Sequence, residues 1–298
     1  MIDRYHLRYF LAVVDSGNFS RAAAVCNVTQ PTLSVGISKL EQSLGHAVFN
    51  RSNRRVELTE AGARLLSHAR AIEAAFAAAE REAAGSHSAR LHRLGVLSTV
   101  PRRWIEEFLA ARRTSADRVE IVEGNERDLK ARLARGRIDM ALTILRGGDD
   151  EAACRPVLSE GYSLAVGADH PLAGHLRLRA EDLVREPMIV RRHCELLSET
   201  SRFFTARGVR PFFPARTTSD EKALAYVRAG LGITIMPDGF AEEGVVRVPL
   251  ADFHFTREIG IVFAPHADAE TRADPLLAAA LARAIQGADE TASFPEVS

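Results

Sequence analysis

The stretch from Phe19 to Leu44 constrains this chain more than any other. It reads as two short helices meeting at a tight turn. Ser20 is placed to cap the first helix, its side-chain oxygen accepting from an orphan N–H. Ala22, Ala23 and Ala24 favour helix and offer a small face for a second helix to approach. Asn27 suits the left-handed conformation in which helices stop. Thr29 or Gln30 caps the next helix, and Pro31 falls near its first position, where a missing N–H costs nothing. Along that second helix Leu33, Ile37, Leu40 and Leu44 share one face, while Thr32, Ser34, Val35, Ser38 and Lys39 lie mostly elsewhere. One stripe packs inward and the polar N-terminal residues are left to enter a DNA major groove.

Taken alone, such a pair would equally fit a helical hairpin in an all-helical core. The following residues decide between the two. Gly45 ends the helix, Val48-Phe49-Asn50-Arg51 leads into the polar turn Ser52-Asn53-Arg54-Arg55, and Val56-Glu57-Leu58 alternates like a strand. A two-stranded wing with a basic tip (Arg51, Arg54 and Arg55) suits phosphates or a minor groove.

Thr29-Gln30-Pro31-Thr32-Leu33-Ser34, Lys39-Leu40-Glu41, Leu44-Gly45, Phe49, Arg51 and Leu58-Thr59-Glu60-Ala61-Gly62 together resemble the N-terminal signature of LysR-type transcriptional regulators. The resemblance implies an α/β protein with a winged helix-turn-helix, a long linker helix and a two-lobed effector domain like a periplasmic binding protein. It carries Ser20, Arg21, Thr29, Gln30, Pro31, Thr32, Ser34, Ser38, Lys39, Arg51, Arg54 and Arg55 as the DNA-binding set. One departure stands out. Val35-Gly36 replace the long polar residues usual after the serine. Gly36 costs about 1 kcal/mol in a helix interior and is expected to remove a DNA contact.

The chain has 298 residues, enough for two or three domains. Its charge is balanced overall, yet residues 1–58 hold seven basic and four acidic side chains, a net +3, against −3 for the rest. That asymmetry has the sign DNA binding requires. Met1-Ile2-Asp3-Arg4 runs straight into an amphipathic helix, with no signal peptide or membrane-length apolar run. Three dispersed cysteines fit a reducing, cytoplasmic setting. The histidines form no metal-ligand pattern, and no cofactor is expected.

Three domains are expected: 1–58, the DNA-binding head; 59–88, a linker helix and hinge; and 89–298, the effector domain. In the last, lobe I takes about 89–162 and 264–287, and lobe II about 163–263. In the linker, Leu65, Ala69, Ile72, Phe76, Ala79 and Ala83 form a heptad seam, with Glu73, Glu80, Arg81 and Glu82 wet. The favoured partner is the same helix of a second subunit, giving a homodimer or homotetramer and a bipartite, two-fold DNA site. From Leu91 strands and helices alternate through Ile144, a βαβαβ run that argues for a parallel sheet. Crossings between lobes are expected near 161–164 and 262–266, with a closing helix from 268 to 285 and a poorly ordered tail.

Ligands of open α/β lobes gather at the carboxyl ends of strands, beside helix N-termini. Those ends supply Ser98 and Thr99, Asn125, Thr143, then Arg192, His193 and Cys194, and Thr217, Thr218 and Ser219. The set of hydroxyls and amides with one cation favours a small anion such as a carboxylate or aromatic acid; each hydroxyl could equally be a helix cap. The family resemblance supports Ser98, Thr99 and Thr143. Cys194, expected at a helix N-terminus near His193, Arg191 and Arg192, would have a depressed pKa. His193-Cys194 also resembles the pair of peroxide-sensing members, but Phe203 and Phe204 stand where their resolving cysteine would be. Two readings stay open: an inert thiol lining the ligand site, or a one-cysteine redox sensor, with Cys154 as a remote partner. Cys26 belongs to the core.

The expected function is a DNA-binding regulator controlled by a small effector between the lobes, working with duplex DNA, a second copy of itself and RNA polymerase, and no membrane. An enzyme lacks a nucleophile elbow, a phosphate loop or a metal cluster. A solute-binding protein lacks an export signal and has no use for a DNA-binding head.

Overall fold

The computed structural model describes residues 1–52, 55–83, 89–150, 153–265, 267, 281 and 285. The head is built from α1 (Arg4–Ser16), α2 (Phe19–Val25), α3 (Gln30–Leu44) and the antiparallel wing β1 (Phe49–Ser52) and β2 (Arg55–Leu58). Leu7 and Phe10 of α1, Leu33, Ile37 and Leu40 of α3, and Phe49 of the wing are buried together. Each such side chain contributes roughly 1.5–3 kcal/mol relative to exposure. Asn27 takes φ 54° and Gly45 φ 72°, the left-handed stops expected of them. Thr29 caps α3, with Pro31 in its first turn. Ser20 does not cap α2. Asn18 does, accepting from the N–H groups of Ser20 and Arg21 at 2.8 and 3.2 Å, because the helix starts two residues earlier than a Ser20 cap requires.

The linker helix α4 (Glu60–Ala83) spans 24 residues, about 36 Å at 1.5 Å per residue. Thr59 anchors it. Its hydroxyl donates to the Ala47 carbonyl (2.7 Å) and accepts from the Gly62 N–H (3.0 Å). Leu66 and Ala69 join the head's core, while Ile72 and Phe76 further along are 38% and 44% exposed. Glu73 is not a freely solvated residue. It is half-buried and accepts from Arg4, whose guanidinium also pairs with Glu80 and lies over the Phe76 ring at 4.2 Å. The hinge expected at 85–88 lies outside the described residues, as do residue 84, Asn53 and Arg54.

The rest of the chain runs β3 (Leu91–Leu97), α5 (Arg102–Ala111), β4 (Arg118–Gly124), α6 (Glu126–Ala134), β5 (Met140–Leu145) and β6 (Cys154–Glu160). Next come β7 (Tyr162–Gly167), β8 (Ile189–Arg191), α7 (Leu197–Ala206), β9 (Ala215–Thr217) and α8 (Asp220–Arg228). It continues with β10 (Thr234–Pro237), β11 (Val245–Val248) and β12 (Arg257–Phe263). Lobe I is a five-stranded sheet in the order β4-β3-β5-β12-β6. It is mixed rather than wholly parallel: β3, β4 and β5 are parallel, whereas β12 runs antiparallel to both β5 and β6. The reason is connectivity, since β12 arrives from the other lobe and not through a helical crossover.

Lobe II holds the antiparallel trio β10-β7-β11 and the parallel pair β8-β9, joined by a parallel bridge between Met188 and Ile233. The chain leaves lobe I at Gly161 and returns between Val248 and Arg257. The return comes earlier than the 262–266 read from the sequence, so β12 lies in lobe I and not lobe II. The expected closing helix and tail lie almost entirely outside the described residues; Leu281 and Ile285 are buried in lobe I's core with Trp104 and Phe108. In β7 Tyr162, Leu164 and Val166 face one cluster and Ala165 the other, so lobe II's sheet carries apolar packing on both faces.

A candidate DNA-binding face and the interlobe site

On α3 the residues Gln30, Pro31, Thr32, Val35, Ser38 and Lys39 are exposed and Ser34 is half-buried. Thr29 is committed to the cap, its hydroxyl 2.8 Å from that of Thr32. Ser20 donates to the Gln30 side-chain oxygen at 3.3 Å, which ties α2 to the start of α3. Arg21 is exposed. Arg51 and Arg55 occupy the two wing strands, Arg51 opposite Val56 and Arg55 opposite Ser52; Arg54 lies outside the described residues. Gly36 is corrected by the packing. A Cβ there would come within 2.5 Å of the Tyr9 ring and 3.2 Å of His6. Gly36 therefore sits on the inward face and lets α1 approach α3, and its lack of a side chain removes nothing from the outer face.

The second constellation lies where the lobes meet. Arg257, at the start of β12, is buried. Its Nε donates to Glu160 at 2.7 Å, and its Nη1 donates to Glu195 at 2.6 Å and to the Thr99 carbonyl at 2.9 Å. The Tyr162 hydroxyl donates to the same Glu195 oxygen at 2.6 Å. Gly239 donates its N–H to Glu160, and Arg103 donates to the Gly239 carbonyl at 2.7 Å. Thr99, Arg103, Glu160 and Arg257 belong to lobe I; Tyr162, Glu195 and Gly239 belong to lobe II. Burial works to raise the Glu195 pKa, but the Arg257 charge and the Tyr162 hydroxyl outweigh it and hold the carboxyl below its ordinary range. Burial and the Glu195 charge push the Tyr162 hydroxyl up.

Around this clasp the expected effector residues fall into two sorts. Asn125 caps α6, accepting from the Asp128 N–H, and Thr217 closes a local turn with Ser219, which caps α8. Thr99 is held by Arg257 through both its carbonyl and its hydroxyl. Thr143 lies within β5, not after it, and is fully buried. The hydroxyls of Ser98 and Thr143 are buried and have no partner among the described residues. The α5 N-terminus beside Ser98 begins at Pro101 with no side-chain cap. Arg192, His193 and Thr218 are exposed, and the Arg192 N–H donates to the Thr217 carbonyl, joining the ends of β8 and β9.

Cys194 departs from expectation. It precedes α7 by three residues and so is not at the helix N-terminus. Burial raises its thiol above the ordinary value, and the neighbouring Arg191 only partly opposes this. Arg191 donates to the sulfur at 3.6 Å, but its charge is committed to Asp220 through two 2.6 Å bonds. Glu160, Tyr162, Arg191, Glu195, Asp220 and Arg257 escape a reading of the sequence, because their partners stand far away in the chain. For Arg257 one signal existed: a charged pair, Arg257-Glu258, of which only the first member is buried, opening an otherwise apolar strand. No cluster able to hold a metal, and no helix long and apolar enough to cross a membrane, occurs among the described residues.

A winged head whose polar helix faces outward, joined by a long helix to two α/β lobes, defines a ligand-controlled DNA-binding regulator. Residues 5–63 match the bacterial regulatory helix-turn-helix protein, lysR family, and residues 85–284 match the LysR substrate binding domain. The chain belongs to the LysR family of transcriptional regulators. It is 35% identical over 269 residues to a probable hydrogen peroxide-inducible genes activator of Mycobacterium avium, covering 86% of each chain. It is 29% identical over 289 residues to the Escherichia coli dual regulator OxyR, covering 93% of this chain and 94% of that one. Among solved structures, a full-length OxyR variant from Pseudomonas aeruginosa superposes with a TM-score of 0.71 at 23% identity, covering 94% of this chain and 95% of that chain, which establishes the shared fold.

Proposed function

We propose that this LysR-type regulator, acting in the cytoplasm and without catalytic turnover, changes its grip on promoter DNA when a small carboxylate enters between its lobes. The observation that carries the reading is the pair of buried hydroxyls, Ser98 and Thr143, that have no partner among the described residues, beside the uncapped start of α5. Buried polar groups are normally satisfied, and a helix N-terminus favours an anion. The second Glu195 oxygen is likewise buried without a partner among the described residues, so the fitting carboxylate also bears a hydrogen-bond donor. The ligand works by differential affinity: it prefers one arrangement of the Arg257–Glu195 clasp over another.

The head reads DNA through Gln30, Pro31, Thr32, Ser34, Ser38 and Lys39, with Ser20, Arg21 and Thr29 at the helix starts and Arg51, Arg54 and Arg55 on the wing. The exposed Ile72 and Phe76 of α4 take a second copy of the helix, which sets the separation of two heads. RNA polymerase is the further partner at the promoter. Footprinting with and without a hydroxy- or amino-carboxylate panel tests this: a ligand that binds wild type shifts the footprint and fails in the Ser98→Ala/Thr143→Val variant. An identical footprint with every bound ligand overturns it.

A second reading is favoured by the similarity to hydrogen peroxide-inducible genes activators and by the Arg191–Cys194 contact. Peroxide oxidises the Cys194 thiol to a sulfenic acid with release of water, and a small thiol then displaces a second water to form a mixed disulfide. The raised thiol pKa makes this slow. Intact mass after peroxide would show one added oxygen in wild type and none in Cys194→Ser, together with altered DNA affinity only in the former.

A further inference from the structure

We infer that lobe II holds a second ligand site, separate from the one between the lobes, that takes an amphipathic anion: a carboxylate on a hydrocarbon chain. A cavity of about 560 Å³ lies between α7 and the β8, β9 and β10 strands. Its lining comes wholly from residues 188–235, with nothing contributed by lobe I. The volume falls within the roughly 300–1,000 Å³ that encloses a small organic ligand.

The walls select the ligand's body. Ile189, Leu197, Phe204, Val209 and Phe213 present hydrocarbon to the space. Leu197 and Phe213 are also 37% and 38% exposed, so apolar surface continues from the wall to solvent. Hydrocarbon entering such a space releases water from apolar surface on both partners.

The polar groups select the head. Arg210 and Arg216 both line the cavity and are exposed, and neither has a carboxylate partner among the described residues. Arg216 lies over the Phe213 ring at 5.5 Å, which restrains its guanidinium beside the cavity. Planar guanidinium groups are matched to carboxylates. Within the wall, the Thr200 hydroxyl is buried with no partner among the described residues, so a ligand oxygen has a donor there as well. Arg191 and Cys194 form part of the same wall. An occupant therefore touches the strand end that leads into Glu195 and the interlobe clasp.

The test uses full-length protein and two probes with the same body, laurate and 1-dodecanol, below micellar concentrations. Calorimetry is expected to show saturable laurate binding, one per chain. Arg210→Gln/Arg216→Gln, at exposed positions, should weaken laurate at least tenfold and leave dodecanol unchanged. Ser201→Trp, which fills the cavity from α7, should abolish both, while Thr143→Val in lobe I should leave both intact. Bound laurate should also slow alkylation of Cys194. The thermal unfolding midpoint of each variant reports its folding. Absence of saturable laurate binding overturns the assignment. So does binding that survives Ser201→Trp, is lost in Thr143→Val, is indifferent to the two arginines, or leaves Cys194 alkylation unchanged. A failure of the interlobe reading would not touch these outcomes.

Discussion

The head and the ligand domain place charge by opposite rules. In the head the fully buried side chains are apolar, from Leu7 through Phe49, and the polar groups of α2 and α3 stand mostly on their outer faces, the buried Nδ1 of His6 on α1 being an exception. Among the described residues, every one that is both buried and polar or charged, from His92 to Arg257, belongs to the ligand domain. The difference follows from the partner. DNA meets a convex surface whose groups stay hydrated until contact, whereas a small molecule is recognised by groups that water is kept from satisfying. The head can therefore be stable without its ligand, and the ligand domain carries polar groups whose cost depends on what is bound.

The largest effect should come from Asp220→Asn. Arg191 and Asp220 are 2% and 6% exposed and joined by two bonds. Removing the carboxylate charge leaves a buried guanidinium without compensation, a loss of about 3–5 kcal/mol. Urea denaturation of the ligand domain checks it. A loss below about 1 kcal/mol would mean the buried pair is not what supports lobe II, and the contrast with the head would fail there.

A smaller effect, and one on binding rather than stability, is expected in the head. Gln30→Ala should leave stability within about 0.5 kcal/mol, since Gln30 is exposed, yet cost about 1–3 kcal/mol of operator affinity through lost base contact. Lys39→Ala should weaken binding to all sequences and lower the salt slope by about one. Titrations of labelled duplex at several salt concentrations separate the two. If Gln30→Ala unfolded the head, the Ser20–Gln30 bond would be a support of the fold and the exposed side chain of Gln30 would not be reserved for DNA.

These rules also explain what could be read from the sequence. The stripe Leu33, Ile37, Leu40 and Leu44 and the stops at Asn27 and Gly45 are local patterns, because a helix repeats every few residues. The wing, α4 and most strands of the lobes follow from the same logic. What stayed hidden depends on distant pairing. Nothing near Arg257 in the chain announces Glu160 or Glu195, 97 and 62 residues away. The antiparallel β12 could not be told from a parallel strand, since an apolar run buried on both faces carries no direction. Gly36 was misread for a related reason: its meaning lies in Tyr9 on another helix. Cys194 was assigned to a helix start from its neighbours, whereas burial, which the sequence does not state, raises its pKa.

The pH dependence of the ligand domain is the next step down in size. Glu195 is held below its ordinary pKa when folded, against about 4.3 in an unfolded chain. The folded state therefore binds fewer protons, and the stability Glu195 contributes is fully present above the unfolded value. It is lost as pH falls through the depressed folded value. Denaturation midpoints between pH 7 and 3 should fall more steeply for wild type than for Glu195→Gln, which cannot titrate. Identical slopes would mean that Arg257 does not stabilise the charged form.

Thr143→Val should have the smallest effect on stability and a decisive one on response. The hydroxyl is buried without a partner among the described residues, so an isosteric methyl removes a desolvated group that gains nothing from the fold itself. Stability should be unchanged or rise by about 1 kcal/mol. If a ligand supplies the missing partner, the variant loses that ligand's effect on the DNA footprint while basal DNA affinity stays as in wild type. The two halves of this outcome are linked, since a group retained at a cost to the empty state has its return in the bound one. A clear loss of stability in Thr143→Val would show that the hydroxyl is already satisfied within the fold. The ligand domain would then, at that position, obey the same rule as the head.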